Sequence, residues 1–267
     1  MRNALAIARK ELSIYFTTPW AYLIFMATVV VVGFFFMAGL GQFRQIQEYA
    51  REMTWARMPG WAEEYKNLTD GVVMPLWDVI RVLTLFIAPF LSMGLFAREK
   101  RHGTFELLMT APVRPIELVL GKYLAGVGII VATLGLTIVF PLILAAIGHS
   151  ESGSALEWST VLLGYMGMLL WGATCMAIGM FISLLTRSEA LAALLTFAVL
   201  VPWLLLRGIA QGSEEPWRSI ANHIAFQSEL EGLSKGVLDL KALIFFASVI
   251  LLSLFLTHRS VEAHRWA

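Results

Sequence analysis

The sequence predicts an all-α, polytopic membrane protein with six transmembrane helices, an amino-terminal amphipathic helix and a short cytoplasmic helix between spans two and three. Three observations carry that fold class. Hydrophobic residues fill 58% of the 267 positions and charged residues only 15%, against roughly 25% charged in soluble domains. Mean hydropathy is +0.73, which excludes a water-soluble globule. Charge-free gaps recur at residues 12–43, 82–97, 123–150, 158–186, 190–206 and 242–258. A crossing helix needs about 20 apolar residues, because hydrocarbon offers no partner to backbone N–H and C=O groups.

The elements follow in order along a single domain, 1–267. Residues 1–18 place Met1, Leu5, Ala8, Leu12 and Tyr15 on one helical face and Arg2, Arg9 and Lys10 elsewhere, the pattern of an interfacial helix. Thr18-Pro19 ends it, since a residue before proline resists helical backbone angles. The next apolar run is longer than a secretion-signal core of about 7–15 residues, so 20–41 reads as the first span. Residues 42–73 mix Tyr49, Trp55, Trp61 and Tyr65 with scattered charges, as expected of short exterior helices anchored at the outer lipid surface.

The second span, 74–97, carries Asp78 and Arg81 into the outer interface. At i and i+3 the two can pair on one face. An ionisable pair inside a membrane reads as a substrate or proton route, but one turn from the outer end a snorkelling local pair is the preferred reading. Spans follow at 123–147, 158–185, 190–207 and 241–257, with Pro141 and Pro202 expected to bend the third and fifth. The fourth carries Gly164, Gly167, Gly172, Ala173, Cys175, Ala177 and Gly179, a small-residue stripe for close packing. Packing within the subunit is preferred there over a subunit seam or a moving substrate surface. The exterior segment 208–240 holds Glu214-Glu215-Pro216, a helix start leading to a short helix near 216–226.

Charge sets the orientation. Lys and Arg total 20 against 19 Asp and Glu, so no global field draws nucleic acid, and none is expected as a partner. By position the bias is clear: Arg98, Lys100, Arg101, Arg114 and Lys122 crowd the connection between spans two and three, whereas 148–158 has no Lys or Arg. The positive-inside rule puts the 98–122 loop and both termini in the cytoplasm.

That loop is the most informative stretch. After the basic exit, Gly103-Thr104 supplies a flexible break and a hydroxyl suited to capping a helix over 104–110. Pro112 and Pro115 end that helix and start another, with Glu117 in its first turn and Gly121-Lys122 leading into the third span. The short helix is expected to expose Phe105, Leu108 and Met109, flanked by Glu106 and Arg114. Such a helix either meets a protein partner or folds onto lipid headgroups.

The order of charged cluster, Gly103-Thr104, Glu106-Leu107-Leu108, Pro112-Val113 and Leu120-Gly121-Lys122 resembles the loop between spans two and three of type-2 ABC transporter permeases. Ala8-Arg9-Lys10-Glu11 on an amino-terminal elbow helix, six spans and a long exterior segment before the last span extend the resemblance over the whole chain. It is closest to the gliding-motility-associated permeases, through Phe226-Gln227-Ser228 and Lys235-Gly236-Val237-Leu238-Asp239, and more distant from the copper-site-maturation permease. The resemblance implies that the loop helix is a coupling helix docking on a cytoplasmic ABC ATPase subunit. Gly103, Thr104, Phe105, Glu106, Leu107, Leu108, Pro112 and Arg114 would form that contact. It further implies a second permease copy or a similar permease, a bacterial inner membrane, and ATP and Mg held by the ATPase with no cofactor in this chain. The alternative is a scaffold or mechanical transmitter that acts on a periplasmic partner through 42–73 and 208–240.

Catalytic chemistry is not expected of the chain itself. A phosphate-cradling G-x-x-x-x-G-K-[ST] loop is missing, the spacings Gly148 to Gly153 and Gly167 to Gly172 lacking the lysine. Cys175 is a lone cysteine, and His102, His149, His223, His258 and His264 lack metal-ligand spacing, so no metal is expected. Glu63-Glu64 has no nearby histidine to complete a protease site.

Overall fold

A computed structural model describes residues 2–52, 65, 67–110, 113–147, 156–211 and 226–266. Among them every regular element is helical: α1 (Arg2–Thr17), α2 (Pro19–Glu52), a π-turn (Thr69–Val73) running into α3 (Met74–Ser92), α4 (Ala97–Arg101), α5 (Thr104–Thr110), α6 (Pro115–Thr137), α7 (Val139–Ile147), α8 (Trp158–Leu185), α9 (Glu189–Gln211), α10 (Phe226–Ser234) and α11 (Leu240–Trp266). Among the described residues five stretches are long and apolar enough to cross a membrane: Pro19–Ala50, Thr69–Arg101, Pro115–Ile147, Trp158–Leu185 and Leu240–His264. The expected fifth span lies on α9, whose apolar part is a shorter helix, Glu189–Trp203.

α8 is the centre. It touches α3, α6, α9, α10 and α11, and its small residues are what let them approach. A Cβ added at Gly164 would strike Trp77, at Gly172 Ile130 and at Gly179 Ser92. The stripe is therefore spent on packing inside the subunit. α2 lies at the edge: Ala21, Ile24, Thr28, Val32 and Phe36 face the bundle, while Met26, Val30, Phe34 and Met37 are exposed. An apolar face of that extent is what hydrocarbon, not water, covers.

Several boundaries differ from expectation. α2 continues to Glu52 instead of ending at 41, because residues 42–52 are good helix formers with no proline, and leaving the bilayer does not stop a helix. The helix expected to start at the prolines does begin at Pro115, with Glu117 in its first turn, and continues unbroken through 123, where the third span was expected to begin. It breaks at Ile138 before α7, where the Pro141 ring opposes the Thr137 carbonyl; α9 runs past Pro202 without a break. The last helix runs to Trp266, past the expected end of the sixth span at 257, so His258 and His264 ride on it. The helix expected near 216–226, the residues Trp55, Trp61, Glu63 and Glu64, and His149 and His223 lie outside the described residues.

Candidate functional site

The short helix α5 and the turn of helix before it, α4, form a junction at one end of the bundle. The chain reaches it through a break at residues 93–96, where α3 stops. Helix ends leave unpaired backbone groups, and one side chain satisfies three of them: the buried Ser183 hydroxyl of α8 accepts from the Phe96 and Ala97 N–H groups at 3.1 Å each and donates to the Met93 carbonyl at 2.7 Å.

From this joint the charged residues of α4 reach four other helices. Arg98 and Arg101 contact Glu189 in the first turn of α9 at 3.1 and 3.6 Å. Glu99 accepts from Lys122 of α6 at 2.7 Å. Lys100 donates to the Leu184 carbonyl in the last turn of α8 at 2.6 Å and approaches His264 Nε2 of α11 at 3.4 Å. An acid at a helix start and a cation at a helix end both complement the helix dipole. The basic cluster that marks the membrane exit in the sequence is thus a set of struts.

Lys122 is the most buried of these charges, its side chain 2% exposed. Its ammonium bonds Glu11 of α1 at 3.1 Å as well as Glu99, and lies 5.3 Å from the centre of the Phe96 ring. A buried lysine requires such compensation. The cluster ties α1, α4 and the first turns of α6 together. Two further bonds hold α1 along its length, Asn3 to Glu117 at 3.0 Å and the Tyr15 hydroxyl to the Leu91 carbonyl at 2.6 Å. Burial, with Glu11 nearby, pushes the Tyr15 hydroxyl above its ordinary pKa, so it stays a neutral donor. Close contact also fixes the elbow: a Cβ at Gly121 would lie 2.7 Å from Ile7 Cβ and 2.8 Å from the Ala4 carbonyl.

α5 follows Gly103, whose φ of +70° is left-handed and suits glycine. The Thr104 hydroxyl, expected as a cap, instead donates backwards to the Glu99 carbonyl at 3.3 Å. Phe105 was expected on the exposed face and is buried, packed edge-on against Phe96 and His264. Leu108 and Met109 are half-buried against the core. The outward face consists of Glu106, Thr110 and above all Leu107, 70% exposed. Arg114 is exposed just beyond; Pro112 lies outside the described residues. The inversion has a simple cause: a seven-residue helix with both ends anchored has one face against the bundle, and Phe105 fills it. Beside α5 a groove of about 490 Å³ is lined by Lys10, Ile14, Arg98, His102, Thr104 and Leu107 among others.

At the opposite end Arg81 donates to Asp78 at 2.6 Å, forming the i, i+3 pair. Asp78 is largely exposed and Arg81 buried, both beside an outer crevice of about 450 Å³ that Glu157, Thr160 and Lys235 also line.

Glu11, Lys100 and Lys122 stand in motifs that the sequence marks, but their contacts are not legible there, and Glu99, Ser183, Glu189 and His264 were not expected as supports of α5. A serine two residues before the end of an apolar span was the one visible signal for Ser183.

Comparison with known proteins places residues 5–260 within a family described as ABC-2 family transporter protein. A protein of Escherichia coli strain K12 named "Probable multidrug ABC transporter permease YbhR" is 30% identical over 137 residues, 51% of this chain and 34% of that relative. The protein of the same name in Escherichia coli O157:H7 is similar to the same extent. The chain spans about a third of the length of these curated relatives.

Proposed function

This chain belongs to the ABC-2 transporter family, and from that premise we propose that it is the permease subunit of an ATP-driven exporter, with α5 as the coupling helix. Membership makes it a multi-pass membrane subunit of an ABC transporter rather than an enzyme. In our reading two permease copies, or one with a similar permease, stand over two cytoplasmic ATPase subunits in a bacterial inner membrane. α9 completes six spans, both termini are cytoplasmic, and ATP and Mg stay with the ATPase. Within the family, the pattern at 226–228 and 235–239 favours the gliding-motility-associated group, with the copper-site-maturation permease more distant.

The observation that supports the reading best is the two-faced build of α5: Phe105 is anchored inward while Leu107, an apolar side chain, stands outward at 70% exposure. Closure of the ATPase pair would displace this helix. Gly103 lets it swing, and the struts of α4 pass the displacement to α6 through Lys122, to α9 through Glu189 and to α1 through Glu11. The likeness to a multidrug permease makes amphiphilic drugs the first cargo to test.

Leu107→Asp in the complex purified with its ATPase should cut permease-stimulated ATP turnover by roughly tenfold or more, the loss of one interface anchor worth ~2 kcal/mol. Membrane insertion should stay intact, because the side chain is mostly exposed and contributes little to the packing of the described residues. Stimulated turnover unchanged in both Leu107→Asp and Glu106→Ala would overturn the assignment of α5. The mechanical-transmitter alternative rests on 42–73 and 208–240; coupled turnover with no cargo moved for any amphiphile would favour it.

A further inference from the structure

We infer that His264, on the cytoplasmic end of α11, is a positioning residue that seats the coupling helix against the fourth and last spans. The helix would then drive those spans directly, not only its neighbours in sequence. This inference rests on α5 being the ATPase contact.

The last helix continues past its apolar stretch to Trp266, and that extension is packed: Thr257 and Val261 are fully buried, Val261 in the same apolar cluster as Phe96, Phe105 and Leu184. One turn further, the His264 ring meets the Phe105 ring at 5.8 Å between centroids and 89° between planes, an edge-to-face contact. His264 Nδ1 lies 2.7 Å from the Ser260 carbonyl, which accepts, so Nδ1 carries the hydrogen and Nε2 is left as an acceptor. That acceptor faces Lys100 Nζ at 3.4 Å. The ammonium has three directions to satisfy, and three groups meet it: the Leu184 carbonyl at 2.6 Å, His264 Nε2, and the Phe105 ring, whose centre lies 5.1 Å away.

Phe105 is therefore held between Phe96, at the end of the second span's helix, and His264, at the end of the last, with Lys100 linking both to the end of the fourth. Without the histidine, α5 keeps its covalent links to α4 and toward α6 and its contact with Phe96. It loses its side-chain tie to α11. A residue that served only as a helix-end cap would need the Ser260 contact and nothing else.

The test uses the permease alone in lipid nanodiscs, where the single native cysteine, Cys175, is buried and does not compete for label. Spin labels on Leu107→Cys and Leu185→Cys, both at exposed positions, report α5 against the end of α8; Ile116→Cys with Leu185→Cys is the control pair. One narrow distance is expected in the parent. His264→Ala should broaden the first pair and leave the control unchanged. His264→Phe keeps the ring edge and His264→Gln keeps a polar group for Lys100, so whichever restores the narrow distance names the contact that acts. In the unlabelled complex, His264→Ala should lower stimulated ATP turnover roughly two- to tenfold, the range set by one aromatic edge contact, and the rescuing variant should recover it. An unchanged distance in His264→Ala overturns the inference, and so does a broadened one with full turnover where Leu107→Asp impairs turnover. Should Leu107→Asp and Glu106→Ala both leave turnover untouched while His264→Ala still broadens the distance, the seat stands and the ATPase assignment falls.

Discussion

Lys122 answers two carboxylates at once, and its removal takes the close cation from Glu11 and Glu99, both largely covered, with only Lys10 left 3.8 Å from Glu11. Lys122→Met is expected to destabilise the protein by about 3–5 kcal/mol, the cost of breaking a buried ion pair from one side. The triple variant with Glu11→Gln and Glu99→Gln should recover most of that loss in thermal melts in detergent, because no charge is then stranded. A triple variant as unstable as the single would show that the lysine acts through packing alone. Gly121 offers a second residue-scale test. Gly121→Val drives a side chain into Ile7 and the Ala4 carbonyl, so the elbow should lift, and Ala8→Cys, buried at 6% exposure, should become reactive to maleimide. Both positions were visible as a motif in the sequence. Their contact with α1 was not, since nothing local to Lys122 says that a helix more than a hundred residues earlier covers it.

The joint between α3 and α4 depends on a hydroxyl from another helix. Ser183→Ala would strip the Phe96 and Ala97 N–H groups of their acceptor in a buried site, a loss of about 1–3 kcal/mol. Hydrogen exchange at those two amides should speed up while the amides of α8 itself stay protected; unchanged exchange would show the joint to be held by other means. Element boundaries teach a related point. α8 spans 158–185 as its hydropathy predicts, because charged or turn-forming residues bound it at both ends. α2 and α11 overrun their predicted limits because hydropathy marks where hydrocarbon stops, not where the helix does. The Phe105 face of α5 was misjudged for the same kind of reason: seven residues carry too little periodicity to say which side the bundle will cover.

Orientation can be read with the same single-cysteine chemistry. Leu107→Cys and Glu262→Cys should react with a membrane-impermeant maleimide from the cytoplasmic side only, and Tyr49→Cys, on the far end of α2, from the opposite side only. Glu262→Cys reacting from the outside would mean five crossings and remove α9 from the spans. The charge-free gaps in the sequence fall on each of the five long apolar stretches among the described residues, and on the shorter apolar helix of α9. What sequence could not convey is that α2 is one uninterrupted rod. Its 34 residues measure about 51 Å at 1.5 Å each, well beyond the roughly 30 Å hydrocarbon slab. Were such a rod to pivot by about 10° at the end next to α1, its far tip would sweep sideways by roughly 9 Å, so a slight tilt at one end becomes a wide displacement at the other.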